Sequence, residues 1–381
     1  AQRSLAEHAP SPAQRETLET ELLLYRSIAH YVGGELESAT VLVETVLRER
    51  RHLDTLLAGV LEFLQMRLNA STADETTQRR HARRALAVFR SLNLITGQIA
   101  VRRELAMLDL RAGRSAEAAA EFDRIVAVFG NDPATLREEL AWIHIFAGEH
   151  SYWQDDLDRA LSHVKAAIEI ESYFQEEMIG YLTCLQKLYA CKAGRDDLAE
   201  EALSPVAVFA ARYDFVDWQI RWLLATDRAG EAWQVAKEYH ASLADDLMNL
   251  PYNRAIPYLR AFIARGQNLG DARPLLRHAL EDSVKARDLP KQLELLAFAA
   301  WLEMQTGQIT AARAMLAQVE ALATKTGYKR VLLDIPALAA GLAAEHQPGH
   351  QPAAAAATEE RPLLTAQEQA VLALLAEDLT Y

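Results

Sequence analysis

Charged and aromatic side chains recur at fixed distances before a series of predicted turns in this chain of 381 residues. Positions six, ten and thirteen residues before a turn lie on one face of the preceding helix. The residues found in this register are Glu138, Trp142, Tyr181, Asp217, Arg221, Asn253, Arg260, Glu294 and Trp301. Aromatic faces mixed with carboxylates, guanidinium groups and an amide are typical of a pocket for a small polar ligand. Ladders of Lys, Arg and Asn, which are typical of grooves that clamp a peptide, are the open alternative.

The aromatic members of this set have a second interpretation. Trp142 and Trp301 are predicted equally well as packing residues between helices, because large aromatic side chains dominate protein cores. Trp218 and Trp222 flank Arg221 in the sequence, and we expect both in the core.

Known catalytic motifs are missing from the sequence. It contains no HExxH, no paired CxxC, no GxSxG and no GxxxxGK[ST] phosphate loop. His278 and Glu281 share a predicted helix face, but a single His-x-x-Glu is typical of a surface pair. His346 and His350 have no carboxylate or cysteine nearby to complete a metal site. We therefore expect no enzymatic activity, no cofactor and no metal site.

The elements that position the candidate residues are predicted from a glycine that recurs with an alanine five residues later. The pairs are Gly34/Ala39, Gly113/Ala118, Gly194/Ala199 and Gly307/Ala312. Glycine ends a helix at low steric cost, and alanine lets the next helix approach closely. The spacing of the pairs divides into steps of roughly 38 to 40 residues, the size of one helix-turn-helix repeat. This pattern predicts an all-α, right-handed superhelix of about eight tetratricopeptide-like hairpins, with almost no sheet.

The remaining turns and helix ends are predicted from weaker signals. Ser11, Pro12 and Gln14 have the spacing of a helix N-cap with a capping box. Pro257 is expected to kink a helix or mark its end. Turns are predicted near residues 69–72, at Ala147 and Gly148, at 227–230 and at 265–270, and residues 150–154 are interpreted as an insertion at a turn.

Composition limits the class of protein and its partners. The net charge is −13, which argues against a nucleic-acid-binding surface on the repeats. Cys184 and Cys191 are seven positions apart on one predicted helix, too far apart for a disulfide. We expect both to be buried thiols in a reducing cytoplasm. The sequence has no signal peptide and no segment that predicts a membrane span.

The sequence changes character after residue 345. Residues 346–362 are rich in Pro, Gly and Ala and lack periodicity, which predicts a linker. Thr365 and Glu368 then form a predicted capping box before an amphipathic helix. That helix is too short to fold alone, which predicts that the chain is a fragment of a longer protein.

This last segment resembles the first helix of the LuxR-type helix-turn-helix domain, whose usual opening is L-T-x-R-E-x-E-V-L-x-L-x-A-x-G-x-S-N. The matching residues are Leu364, Thr365, Glu368, Val371, Leu372, Leu374 and Ala376, with Thr380 in the serine position. The departures are Gln367 for arginine, Ala370 for glutamate, Asp378 for glycine and Tyr381 for asparagine. Helical repeats followed by a linker and this segment resemble the MalT-type large ATP-dependent LuxR-family transcriptional regulators.

The resemblance implies a separate role for each of three segments of the chain. Residues 1–345 would be a tetratricopeptide-like superhelical sensor domain, 346–362 a linker, and 363–381 the truncated start of the DNA-binding domain. An ATPase would lie upstream of residue 1 or be absent, and DNA would be bound only through the missing C-terminal part. The implied partners are a small-molecule inducer, other domains of the same regulator, and a regulatory protein or a second copy. The alternative is a scaffold that docks a protein or peptide and has no small-molecule ligand.

Overall fold

The computed structural model describes residues 11–32, 35–49, 53, 55–68, 75–130, 137–170, 176–195, 197, 213–243, 250–265 and 272–335. Within these ranges the chain forms sixteen helices and no strand. The prediction of an all-α fold is therefore confirmed for the described part of the chain.

The helices have the following bounds. They are α1 Pro12–Val32, α2 Leu36–Glu49, α3 Thr55–Leu68, α4 Glu75–Ser91, α5 Ile95–Arg111, α6 Ser115–Phe129, α7 Arg137–Trp153, α8 Leu157–Ile170, α9 Glu176–Lys192, α10 Tyr213–Ala225, α11 Ala229–Leu243, α12 Tyr252–Arg265, α13 Ala272–Lys285, α14 Leu289–Gln305, α15 Ile309–Thr326 and α16 Arg330–Leu333. Consecutive helices pack against each other from α1 to α4 and from α8 to α16. Helix α12 also packs on α10 and α14, so the first helices of successive hairpins are neighbours, as in a helical repeat.

Many of the turns between the described helices share one backbone geometry. In seven three-residue turns of the described ranges the middle residue has φ between 51 and 81°: Asn93, Gly113, Asp155, Gly194, Asp227, Arg287 and Gly307. The amide that follows donates to a carbonyl five residues back, as in the 2.8 Å bond from Arg114 N to Asp109 O. This is the long hydrogen bond of a Schellman motif, which satisfies the last carbonyls of a helix. The predicted helix ends at Gly113, Gly194 and Gly307 are confirmed, and Gly34 lies outside the described residues.

The residue five positions after each turn centre depends on which helices the turn joins. Within hairpins it is a fully buried alanine: Ala118, Ala160, Ala232 and Ala312. After Asn93 and Arg287, which join one hairpin to the next, it is Gln98 or Gln292, both buried. The predicted packing role of the alanines is confirmed at Ala39, Ala118 and Ala312, whereas Ala199 lies outside the described ranges.

The predicted turn at Ala147 and Gly148 is wrong. Both residues lie inside α7, and the chain turns at Asp155 instead, with φ 65°. Asp tolerates the left-handed conformation because its short side chain bonds to the local backbone. Gly148 serves close helix packing, since a Cβ there would lie 3.4 Å from the carbonyl oxygen of Ala160. Residues 150–154 are therefore the end of α7 and the start of the turn, and the predicted insertion is also wrong.

Of the weaker signals for helix ends, the capping box lies at the start of α1 as predicted, whereas Pro257 does not mark a helix end. Ser11 N donates to Oε1 of Gln14 at 2.8 Å, and Gln14 N donates to Oγ of Ser11 at 3.2 Å, so the capping box is confirmed. Pro257 lies inside α12 and is buried. Asp288 caps α14 by accepting from Lys291 N at 3.3 Å.

The chain divides into two compact units, residues 1–108 with 123–139, and residues 109–122 with 140–381. In the first unit, apolar side chains of α1, α2 and α3 form one core, and those of α3, α4 and α5 form another. In the second unit, three clusters follow the hairpins from α7 to α16. The candidate residues from Trp142 onward belong to this second unit.

Three further expectations concern thiols, membranes and the C-terminal end. Cys184 and Cys191 are both free, but only Cys184 is fully buried, and burial raises the pKa of its thiol to about 12.

None of the described helices combines the length and apolarity needed to cross a bilayer. The predicted linker and helix-turn-helix segment lie outside the described residues.

The turn glycines differ in what surrounds them, and this difference can be tested. Replacing Gly113 or Gly307 by Ala places an L side chain at positive φ, which costs about 1 to 2 kcal/mol. At Gly113 the new Cβ would also lie 2.5 Å from Leu289 Cδ2 and 2.9 Å from Thr326 Cγ2, whereas Gly307 has open space around it. We expect Gly113→Ala to lower the free energy of unfolding by about 1 to 3 kcal/mol more than Gly307→Ala. Equal urea midpoints for the two variants would contradict this packing of the α5–α6 turn.

Candidate functional site

The structure places the predicted site residues on the first helices of successive hairpins. Trp142 lies on α7, Tyr181 on α9, Asp217 and Arg221 on α10, Asn253 and Arg260 on α12, and Glu294 and Trp301 on α14. Glu138 is in the first turn of α7, and its side chain is not among those described. Four of the nine come together around one buried guanidinium group.

That group belongs to Arg221, whose side chain is 2% exposed. Its Nε lies 3.0 Å from Oδ2 of Asp217, one helical turn earlier on α10. Its Nη2 donates to Oε1 of Glu294 on α14, and its Nη1 lies 3.2 Å from Oδ2 of Asp334. All three carboxylates are buried with it.

A second arginine shares two of these carboxylates. Nε of Arg260 on α12 lies 2.9 Å from Oδ1 of Asp217, and its Nη2 contacts Oε1 of Glu294. Lys291, one turn before Glu294 on α14, approaches Oε2 of that glutamate at 3.7 Å. We call Asp217, Arg221, Arg260, Glu294 and Asp334 the ionic cluster.

Asp334 reaches the cluster from residues that follow α16. Its carboxylate accepts a 2.5 Å hydrogen bond from the Tyr152 hydroxyl and lies 3.1 Å from Nζ of Lys192. Arg330 approaches it at 3.7 Å and also pairs with Asp155 at 2.7 Å. Thus residues 330–335 contact the C-terminal ends of α7 and α9.

Aromatic rings enclose the guanidinium of Arg221. Its carbon lies 4.5 Å from the ring centroid of Trp153 and 5.2 Å from that of Trp218. Tyr152 stacks on Tyr189 with centroids 5.0 Å apart and meets Trp218 edge-on at 5.3 Å. These faces exclude water and attract the cation through the ring quadrupole. The charged groups of the cluster are therefore surrounded in part by aromatic side chains.

The environment fixes the protonation state of each group. Burial alone would raise the pKa of Asp217 and of Asp334. Arg221 and Arg260 hold the pKa of Asp217 far below its ordinary value, and Lys192, Arg221 and Tyr152 hold that of Asp334 below it. Burial and the adjacent Asp334 raise the pKa of Tyr152 well above its ordinary value. The carboxylates of Asp217 and Asp334 are thus ionised, and the phenol of Tyr152 remains a hydrogen-bond donor.

The other predicted site residues lie outside the ionic cluster. Tyr181 is 2% exposed, stacks on Phe215 with centroids 4.1 Å apart and donates its hydroxyl to Glu149. Trp301 belongs to the core of the last hairpins, and Trp142 packs on the core beside α9. Asn253 is half-buried, and no described contact links it to the cluster. For Trp142 and Trp301 the structure therefore favours the packing interpretation, and Trp218 is a core residue as predicted.

Several residues of the site are absent from the sequence-based set. Tyr152 and Trp153 were assigned to an insertion because the turn was placed at Gly148 and not at Asp155. Once Asp155 is taken as the turn centre, both fall in the last turn of the first helix, as does Lys192 before Gly194. Asp334 follows the last described hairpin, and no repeat signal points to it.

This arrangement is suited to recognition of charge. No group of three or more potential metal ligands occurs among the described residues. Each of the three nitrogens of Arg221 contacts a carboxylate from a different residue, Asp217, Asp334 or Glu294, so the guanidinium recognises negative charge on three sides. A surface depression lined by Asp158, Leu161, Ser162, Lys165, Ala166, Glu169 and Arg195 lies elsewhere and shares no residue with the cluster.

Neutralising one carboxylate should expose the energetic role of the cluster. Glu294→Gln leaves Arg221 and Arg260 with one buried counter-charge fewer, so we expect a loss of about 3 to 5 kcal/mol in the free energy of unfolding. The matched control is Glu231→Gln, which breaks the exposed pair with Arg228 and should leave the urea midpoint unchanged. Similar midpoints for both variants would show that the cluster is not buried in solution.

The lowered pKa values predict a dependence of stability on pH. Asp217 and Asp334 have lower pKa values in the folded state, so the stability they contribute is present above their ordinary pKa of 3.8 and is lost as pH falls below it. Asp334→Asn removes one titrating group. Its unfolding free energy should therefore fall less steeply with decreasing pH, by at most about 1.4 kcal/mol per pH unit. Urea titrations between pH 3 and 7, with the exposed Glu281→Gln as control, measure this slope. Parallel slopes for wild type and Asp334→Asn would contradict the assignment.

Comparison with known proteins adds no family. No protein-family model matches the chain, and no curated protein matches it either. The resemblance to LuxR-type regulators therefore rests on the sequence pattern of residues 364–381 and on the order of segments along the chain.

Proposed function

We propose that this chain is the effector-sensing and protein-interaction domain of a MalT-like LuxR-family transcriptional regulator. In this proposal a small inducer binds at the ionic cluster of the second unit, and its binding controls the output of the full-length protein. The observation that carries the proposal is a buried set of ionised groups gathered from α10, α12, α14 and the residues after α16.

The connectivity of the cluster supports a switching role. Arg221 and Asp334 are in contact although 113 residues separate them in sequence. A ligand that changes contacts of Arg221 therefore acts at once on three helices and on residues 330–335. Binding shifts an equilibrium between two states only by its difference in affinity for them, typically about 1 to 3 kcal/mol in allosteric proteins.

Stability alone is a weak reason for such a cluster. Replacing buried ion pairs by apolar side chains of similar volume is often neutral or stabilising, because ions lose hydration when buried. A core built from three carboxylates and two arginines thus supports recognition over packing. Ionisable groups with strongly shifted pKa values also concentrate at functional sites.

The order of segments supports the regulatory context. The sensor repeats precede the predicted linker at 346–362 and the segment at 363–381 that resembles the start of a LuxR-type DNA-binding domain. Residues 330–335 precede that linker in the sequence, with residues 336–345 between them. A change at the cluster would therefore act on the part of the chain that leads to the output end.

A second candidate function is a scaffold that binds a peptide or protein partner without a small ligand. It is favoured by one observation: residues 330–335 are themselves a peptide segment held at the cluster through Arg330 and Asp334. A partner with an acidic side chain in an extended or helical segment could contact the same arginines.

The proposed function can be tested by calorimetry against a panel of sugars, aromatic acids and lipidic metabolites. We expect one class to bind, and Arg221→Lys or Arg260→Lys to weaken binding at least tenfold, since lysine keeps the charge but loses the planar fork. Arg228→Lys, in the turn before α11 and at an exposed pair with Glu231, is the matched control and should bind normally. Circular dichroism melts show whether each variant is folded.

Two results would argue against an effector site. If no metabolite binds while a partner protein is retained by the immobilised domain, the scaffold function replaces this one. If a metabolite binds but both lysine variants bind it with wild-type affinity, the site lies elsewhere in the chain.

A further inference from the structure

Residues 330–335, which we call the strap, are held against the body by ion pairs and by apolar contacts. Arg330 pairs with Asp155, and Asp334 pairs with Lys192 and Arg221. Val331 is buried, Leu332 and Ile335 pack partly buried against the core of the last hairpins, and Leu333 is 48% exposed. A short segment with one buried apolar side chain opens at lower free energy than the core helices.

The residues just before the strap are fixed to the body. Helix α15 ends at Thr326, its C-cap Gly327 has φ 79°, and Tyr328 follows. The hydroxyl of Tyr328 donates to the carbonyl oxygen of Leu110 at 3.1 Å, and its ring meets His150 edge-on. The strap can therefore leave the cluster while Tyr328 stays fixed.

Within the strap, Asp334 is the group that supplies counter-charge to the cations Arg221 and Lys192. Three buried arginines, Arg221, Arg260 and Arg330, face three buried carboxylates, Asp217, Glu294 and Asp334. Two partly exposed lysines, Lys192 and Lys291, add positive charge at the margin. The net charge of the site does not change when the strap leaves, because Arg330 leaves with Asp334, but Arg221 Nη1 and Lys192 Nζ lose the carboxylate that faces them. A group that takes the place of Asp334 should therefore carry negative charge, because an uncompensated buried charge is strongly unfavourable.

The contacts of Asp334 define what that negative group is. A hydroxyl at 2.5 Å, a guanidinium nitrogen at 3.2 Å and an ammonium at 3.1 Å surround its two oxygens. A hydroxyl, a guanidinium and an ammonium group are the types of group that bind carboxylates in proteins. The rings of Tyr152, Trp153 and Trp218 contact one another and form an apolar surface near Asp334, which suits the apolar part of a small organic acid.

We propose that the ionic cluster is a receptor for the carboxylate of a small organic acid, and that Asp334 occupies it in cis until the acid displaces the strap. This inference rests on the proposed function and names its ligand class and its switch. The strap acts as a tethered competitor, so the acid binds more weakly to the closed protein than to one lacking Asp334. Displacement frees the residues that lead into the predicted linker.

The test uses succinate and benzoate as probes, with succinamide and benzamide as uncharged controls at constant ionic strength. Calorimetry on the whole chain compares wild type with Asp334→Asn. We expect at least one acid to bind Asp334→Asn at least tenfold more tightly than wild type. Neither amide should bind, and adding Arg221→Lys to Asp334→Asn should abolish the gain. Glu281→Gln, an exposed change on α13, should leave the affinity of wild type unchanged.

A second measurement needs no variant, so it applies even if Asp334→Asn does not fold. Hydrogen exchange of the backbone amides of residues 330–335 should become faster when wild type is saturated with an acid. Exchange in α12 and α14 should not become faster, because the ligand replaces the charge that the strap removes.

The outcomes separate this inference from the proposed function. If an acid or another metabolite binds and depends on Arg221, but strap exchange stays constant or slows, the displacement mechanism is wrong and the effector site stands. If the amides bind as tightly as the acids, carboxylate recognition is wrong. If neither the acids nor any metabolite of the larger panel binds, both the inference and the proposed function fail.

Discussion

One guanidinium group holds together elements that are distant in the sequence. Arg221 uses Nε, Nη1 and Nη2 to contact Asp217, Asp334 and Glu294. A guanidinium remains charged at any ordinary pH, so the positive charge at the centre of the ionic cluster is permanent. The spacing of α10 and α14 and the course of residues 330–335 are thereby linked to one side chain. The repeated turns are what bring successive first helices close enough to supply these groups.

The turns were largely predictable because a left-handed residue has a strong sequence signature when it is glycine. Gly113, Gly194 and Gly307 were identified for this reason. Asp155 was missed because aspartate adopts the same conformation without the same signature, and Gly148 drew the prediction to the wrong place. Ala160, five residues after Asp155, is the signal that identifies the true turn centre. The spacing to the packing alanine is thus more reliable than glycine itself.

The site was predicted in part, and the reason lies in the repeat. Asp217, Arg221, Arg260 and Glu294 occupy related positions on neighbouring first helices, so counting back from the turns places them on one face. The same counting selects Tyr181 and Trp301, which are core residues, because helical register does not separate packing from recognition. Asp334 depends on how the chain after α15 folds back on α7, α9 and α10. That contact is set by tertiary packing, and no local pattern encodes it.

The aromatic enclosure of Arg221 gives the domain an intrinsic optical reporter. Two of the six tryptophans in the chain, Trp153 and Trp218, lie within 5.2 Å of the guanidinium carbon, measured to their ring centroids. A cation beside an indole ring perturbs its excited state, so the emission of these two residues depends on where Arg221 is held. Movement of Arg221 would therefore be visible as a change in the wavelength or intensity of the native fluorescence, without any attached dye.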